Sequence, residues 1–179
     1  MNSKKANKIV LSGLAGSGKS TIGKLLGEKL GWGFISMGEF SRNYAQNNFN
    51  MNINAFQDYC KQNPEIDELL DKQFIQFCKE ESDLIIDYRL GFHFIPNSFK
   101  ICLHVSPGEA ARRISMAKRE YETPESIVIR NVKMVNRFKE KYEVDFSDIR
   151  HYNLIIGTDF LSEEEIVNKI IHEYGFSLE

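Results

Sequence analysis

The stretch "KIVLSGLAGSGKST", Lys8 to Thr21, is the part of the chain from which the rest can be read. Its first five residues, KIVLS, form a short apolar run that reads as a buried strand. Gly13, Gly18, Lys19 and Ser20 then satisfy the spacing GxxxxGK[ST], between that strand and a helix, which is the context that gives the motif its meaning. Each residue type has a physical task. The glycines let the backbone turn tightly, so that the N–H groups of Gly13, Ala15, Gly16, Ser17 and Gly18 point at phosphate oxygens, and the helix behind them adds its positive dipole end. Lys19 brings a point charge to the β and γ phosphates of a nucleoside triphosphate, Ser20 offers its hydroxyl to the bridging magnesium ion, and Thr21 meets the α phosphate. Triphosphate binding alone leaves hydrolysis, switching and group transfer all open.

Outward from this loop, "STIGKLLGEKLG" sets Ile22, Leu25, Leu26 and Leu30 at helical spacing, with Gly31 as C-cap. "GFISMGEF" predicts a second strand leading into a helix near 39–46, and "NNFNMN" a polar turn. Two further helices follow, "NINAFQDYCKQ" and "PEIDELLDKQFIQFCKEES", the second with Ile66, Leu69, Leu70, Phe74 and Phe77 on one face. "DLIID" and "KICLHV" are apolar throughout, as central parallel strands are. "SPGEAARRISMAKREY" and "TPESIVIRNVKMVNRFKEKY" predict helices capped by Ser106 and Thr123, "NLIIGT" a last strand and "SEEEIVNKIIHEY" a last amphipathic helix. Strands and helices alternating in this order predict an α/β fold, a doubly wound parallel sheet of about five strands covered on both faces. No internal repeat or Pro/Gly-rich linker divides it, so a single domain spanning 1–179 is expected.

The composition is that of an ordinary globular chain, 42% hydrophobic and 27% charged over 179 residues. A formal net charge of -2 argues against a nucleic-acid binder held by bulk electrostatics. The apolar runs are far shorter than the roughly 20 residues a membrane helix requires. "MNSKKANKIV" has neither the apolar stretch nor the cleavage site of a secretion leader. Cys60, Cys78 and Cys102 are odd in number, widely spaced and outside any CxxC pattern, which predicts reduced thiols in a cytoplasmic protein.

Ligands of doubly wound sheets sit beyond the carboxyl ends of the strands. There the chain places Ser36, Gly38 and Arg42 after the second strand, Asp87 and Arg89 after "DLIID", and Lys118, Arg119, Arg130 and Arg137 after "KICLHV". Arginines in these places can converge on phosphates. Asp87 either holds magnesium through water or caps the next turn. Asp67 and Asp71, one helical turn apart, either project together toward a base or face solvent. Phe49, Phe92 and Phe94 either stack on a base or pack.

In ordered series these residues resemble the P-loop nucleoside monophosphate kinases, and among them the short archaeal-type cytidylate kinases. "GLAGSGKSTIGKLLGEKLGWGFISMGEFSR" is similar to that family's phosphate loop, first helix and monophosphate turn, and "NAFQDYCKQNPEIDELLDKQ" to its intervening helices. "IDYRLGF" resembles its arginine–leucine loop, "RISMAKRE" the start of its lid, and "KEKYEVDFSDIRHYNLIIGT" its closing segment. The resemblance implies a three-layer P-loop fold with a helical monophosphate-binding region at about 37–81 and a short lid at about 115–135. It implies transfer of the γ-phosphoryl group of ATP to a nucleoside monophosphate such as CMP or dCMP, with Gly13 to Thr21 holding ATP. Ser36, Gly38, Arg42 and Arg89 would then meet the acceptor's phosphate or sugar, and Asp71 its base. Arg119, Arg130 and Arg137 would line the lid, and Ser20 with Asp87 would hold magnesium. Its partners would be small nucleotides and the protein a monomer.

Three departures stand out: Asp87 replaces the family's usual glutamate, "RISMAKRE" lengthens the spacing of the arginine pair, and the segment before the last strand reads Tyr152–Asn153. Two other readings remain: a shikimate- or gluconate-type small-molecule kinase, and a nucleotide-dependent binding module. The first lacks support from "ISMGEF", which carries no aspartate-x-aspartate.

Overall fold

The computed structural model describes residues 7–117 and 123–175. Its elements run β1 (Lys8–Gly13), α1 (Lys19–Leu30), β2 (Gly33–Ser36), α2 (Met37–Phe49), α3 (Ile53–Gln62), α4 (Pro64–Glu80) and β3 (Leu84–Asp87). Then come α5 (Gly91–Phe94), β4 (Phe99–His104), α6 (Pro107–Met116), α7 (Pro124–Tyr142), β5 (Leu154–Gly157) and α8 (Glu163–Tyr174).

The five strands are all parallel, in the order β2-β3-β1-β4-β5. The expected α/β doubly wound sheet is therefore present, and β1 sits at its centre, flanked by β3 and β4. Register aligns the strand ends on one edge. Asp87 lies across from Leu11 on one side and Ser36 on the other, while Gly13 lies across from Leu103 and His104 across from Gly157.

Side chains of successive strand residues point to opposite faces, so β1 feeds two cores. Ile9 and Leu11 join Ile22 and Leu26 of α1 and Ile166, Val167, Ile170 and Ile171 of α8. Val10 joins Phe74 and Cys78 of α4, Tyr88, Leu90, Phe92, Val144 and Phe146 on the other face. A smaller cluster, Ala45, Phe56, Cys60 and Leu70, ties α2, α3 and α4 together, and Val105, Ala110, Ala111 and Ile127 tie α6 to α7.

The caps expected from the sequence are present. Gly31 ends α1 in the left-handed conformation, the Ser106 hydroxyl accepts from the Glu109 amide, and Thr123 and Ser162 both close capping boxes. Three details differ from expectation. The "NNF" of the expected turn belongs to α2, because Phe49 packs on the rings of Tyr44, Phe56 and Tyr59; the helix stops only at Asn50, which takes φ 52°. In α4 the buried stripe is Leu70, Phe74 and Cys78, whereas Leu69 and Phe77 turn outward at 43% and 38% exposure. The loop "YRLGFHF" contains a single helical turn, α5. Cys60 and Cys78 are buried and all three cysteines are free. Among the described residues no helix is long and apolar enough to cross a membrane.

Candidate active site

The phosphate loop is built by close backbone approach. At Gly13, φ is 147°, and a Cβ there would come within 2.5 Å of the Leu103 carbonyl oxygen and 2.6 Å of Ser17 Oγ. At Gly16, φ is 76°, and a Cβ would meet the Ala110 backbone of α6 at 2.8 Å. A side chain at either position would push the loop off the strand end it covers. Gly18 starts α1 with no side-chain cap, so the first-turn amides face the loop rather than a neighbouring hydroxyl.

Lys19 is only 9% exposed, and its Nζ donates to the Leu14 carbonyl at 3.0 Å and to Ser17 Oγ at 3.4 Å. Burial pushes its pKa down to about 8; the Asp87 carboxylate opposes that shift and the Arg89 guanidinium adds to it. Asp87, on the strand next to β1, supplies charge support to the ammonium, and an anion in the cradle would add to it. Ser20 Oγ donates to Asp87 Oδ2 at 2.6 Å. The carboxylate is therefore held against the Ser20 hydroxyl at the end of the phosphate loop. A hydroxyl and a carboxylate in contact are hard oxygen donors of the kind magnesium takes alongside phosphate and water, so these residues fit that ion.

Arg89, two residues beyond Asp87, is hemmed in by protein yet keeps an open face to solvent. Desolvation lowers its pKa, the Asp87 carboxylate raises it and the positive charge of Arg130 of α7 lowers it. On the neighbouring strand Ser36 is buried, and a Cβ built on Gly38 would lie 3.7 Å from Ser36 Oγ and 3.6 Å from Arg42 Nη1. The hydroxyl and the guanidinium thus flank a gap that the absent side chain of Gly38 leaves open. Because Ser36 lies across from Asp87 in register, this turn adjoins the Ser20–Asp87 pair.

A second cluster joins α4 to the C-terminal half of α7. Tyr142 Oη donates to Asp71 Oδ2 at 3.1 Å, and Asp67 Oδ2 accepts from Arg137 Nη2 at 3.1 Å with Lys141 Nζ at 3.6 Å. Burial is the main cause that raises the Asp71 pKa, against the lowering effect of the Tyr142 hydrogen bond. Of Arg130 and Arg137, both expected in the lid, Arg137 is paired with Asp67 of the acceptor-side helix α4. Arg119 and Lys118 lie outside the described residues. The three phenylalanines pack. Phe49 sits among Tyr44, Phe56 and Tyr59, Phe92 stacks on His151 at 4.9 Å, and Phe94 stacks on Tyr88 with edge contacts to His93 and Tyr142.

Arg113 escaped the sequence reading. Its guanidinium is oriented by Glu109 at 2.7 Å and donates to the Thr158 carbonyl at 2.7 Å, Thr158 Oγ1 at 2.9 Å and the Gly16 carbonyl at 3.4 Å. It fastens the phosphate loop to the end of β5. The available signal was its place two turns into a capped helix that follows a central strand.

A parallel 2-3-1-4-5 sheet with a glycine-rich loop between β1 and α1 defines a P-loop fold of the small-molecule kinase type. Comparison with solved structures agrees. Shikimate kinase from Bacteroides thetaiotaomicron superposes with a TM-score of 0.65 at 17% identity, covering 92% of this chain and 96% of that one. A gluconokinase from Sinorhizobium meliloti gives 0.59 at 14%, covering 95% and 92%. The AAA domain family model matches residues 9–136. The cytidylate kinase of Methanosphaera stadtmanae is 32% identical over 164 residues, 90% of this chain and 94% of that protein. The S-adenosylmethionine-dependent nucleotide dehydratase of Lacinutrix mariniflava is 46% identical over 169 residues; the match covers 93% of this chain but 36% of that much longer protein. The chain belongs to the P-loop nucleoside monophosphate kinase family, in which it is similar to the archaeal cytidylate kinases.

Proposed function

We propose that this protein transfers the γ-phosphoryl group of ATP to a pyrimidine nucleoside monophosphate, CMP or dCMP. The observation that carries the proposal is the meeting of two half-sites at one sheet edge: Lys19 and the Ser20–Asp87 pair on the donor side, and Arg89 with Ser36 and Arg42 on the acceptor side. Phosphoryl transfer passes through a loose transition state, so positioning and charge do most of the work. Gly13 to Thr21 hold ATP, and Lys19 meets the transferring group. Ser20 and Asp87 would hold magnesium, which would neutralise phosphate charge. Arg89 and Arg42 orient the acceptor phosphate. Arg130, with Arg119, closes over the reacting oxygens, while Arg137 would join them only after leaving Asp67. Asp71 reads the base. The helical region 37–81 and the lid 115–135 act within one domain, working as a cytoplasmic monomer.

The testing experiment measures ADP formation with CMP, dCMP, UMP, AMP and GMP, and with shikimate and gluconate as controls. Diphosphate formation with CMP or dCMP above the others is expected. Tight ATP binding with no transfer to any monophosphate would instead favour the nucleotide-dependent binding module, and transfer to shikimate or gluconate the small-molecule kinase.

The likeness to part of the Lacinutrix mariniflava dehydratase supports a second reading about context. In it the chain supplies phosphorylated nucleotide to an enzyme that dehydrates nucleotides. Coupled turnover with such a dehydratase, faster than with an unrelated cytidylate kinase at matched activity, would favour it.

A further inference from the structure

Gly16 and Ser17 share one planar trans peptide, so the Gly16 carbonyl and the Ser17 N–H point in opposite directions. The carbonyl accepts from Arg113 Nη1 at 3.4 Å. The N–H faces the Leu14 carbonyl oxygen, also at 3.4 Å, and Lys19 Nζ donates to that same oxygen at 3.0 Å. The arginine therefore grips the outer side of a peptide whose amide is aimed into the loop, beside the lysine. A Cβ built on Gly18 would lie 3.9 Å from the same Nη1, so the guanidinium lies along the loop at both neighbours of Ser17.

A contact of 3.4 Å is long and would orient little if the arginine were free to rotate. It is not free. Glu109 Oε1 accepts from its Nε at 2.7 Å, the Thr158 carbonyl from Nη2 at 2.7 Å and Thr158 Oγ1 from Nη1 at 2.9 Å. Thr158 is fully buried, and its N–H and hydroxyl both donate to the His104 carbonyl at the end of β4, at 2.9 and 3.1 Å. One turn before Arg113, Ala110 forms the floor under Gly16, where a Cβ would meet it at 2.8 Å. The side-chain entropy of the arginine is thus already lost in folding, and a planar fork fixed by three short bonds presents its remaining contact at a set angle. We propose that Arg113 is a positioning residue of the donor site: held by Glu109 and Thr158, it sets the Gly16–Ser17 peptide so that the Ser17 N–H is presented to a triphosphate oxygen. That oxygen replaces the long contact to Leu14, and the arginine acts through the loop without touching the ligand. The inference rests on the reading of Gly13 to Thr21 as the ATP site and adds to it the side chain that orders the loop.

The test measures binding of ATP and of inorganic tripolyphosphate, each with magnesium, by calorimetry on the wild-type protein and on Arg113→Met, Arg113→Lys and Thr158→Val. Arg113→Met is expected to weaken both ligands alike, roughly 10-fold, because the loop reads phosphate. Arg113→Lys keeps the charge and loses the fork, so it is expected to stay within about 3-fold of Arg113→Met. Thr158→Val removes one bond to the arginine; it should weaken both ligands about 3-fold alone and less than about 2-fold when added to Arg113→Met. The amide resonance of Ser17, read by NMR in the nucleotide-free protein, should shift in Thr158→Val, a substitution that leaves the loop's own residues in place. Weaker ATP binding with tripolyphosphate unchanged would make Arg113 a contact to the base, and full recovery with lysine would leave only its charge. Additive losses in the double variant, or an unmoved Ser17 amide, would break the link through Thr158. Each of these overturns the proposal. Wild-type ATP binding with Arg113→Met unaffected overturns this inference alone, whereas a wild-type protein that binds neither ligand overturns it together with the ATP-site reading.

Discussion

The donor and acceptor halves of the cleft are made by different means. On the donor side the backbone does the work: glycines at φ 147° and 76° press the loop onto β4 and α6, and a nearly buried lysine rests on a loop carbonyl. On the acceptor side long side chains do it, from α2, the β3 loop, α4 and α7, and many of them are exposed or paired with one another. A site of backbone amides is preorganised and tolerates no substitution at its core residues. A site of side chains can be retuned residue by residue, and in the proposed reaction it would set which acceptor is used.

The comparison is broken most directly at Lys19. Lys19→Ala should lower turnover by about two to three orders of magnitude with every acceptor, measured by coupled ADP release, because one preorganised charge at the transferring group is gone. Arg89→Ala comes next. It should reduce kcat/KM for the monophosphate by roughly 10- to 100-fold while the dissociation constant for ATP, measured by calorimetry, stays within about 2-fold. Equal loss of ATP affinity would mean that the two halves are not separable.

A pH experiment sharpens the donor side. Lys19 titrates at about 8 in the nucleotide-free protein and near 10.5 when unfolded. The unfolded chain therefore binds more protons between these values, and the contribution of Lys19 to stability rises with pH across that window. Bound ATP restores the proton, so ATP affinity falls as pH rises above about 8 while the unliganded protein grows more stable from this group. Calorimetry in two buffers of different ionisation enthalpy should show proton uptake on binding at pH 9 and little at pH 7. The smallest effect is expected at Arg137, whose pair with Asp67 is largely in solvent. Arg137→Ala should leave the melting temperature nearly unchanged, and its effect on turnover, a few-fold at most if it stays on Asp67, reports whether it ever reaches the transferring group.

Much of the donor half was legible from residue order, because GxxxxGK[ST] between an apolar strand and a capped helix has one well-defined backbone solution. Ser36, Arg42, Asp87 and Arg89 were legible as strand-end residues for the same topological reason. The acceptor half was not. Arg130 and Arg137 are seven residues apart on one helix and equivalent in sequence, yet the charge of the first acts on Arg89 while the second pairs with Asp67 of α4. Which neighbour a helical arginine meets depends on how α7 lies against other elements, and local spacing carries no such information.

Composition, periodicity and caps were enough for the strand–helix alternation, the parallel sheet and the phosphate loop, since each arises from interactions within a few residues or from burial on both faces of a strand. Long-range packing had to bring Ser20 onto Asp87 across 67 positions and Tyr142 onto Asp71 across 71. It also fastened Arg113 to the loop it supports and left the Asn131 oxygen without a partner among the described residues. Such pairings form where chain segments remote in sequence share a surface, and their energies depend on mutual burial, which exists only once the fold has formed.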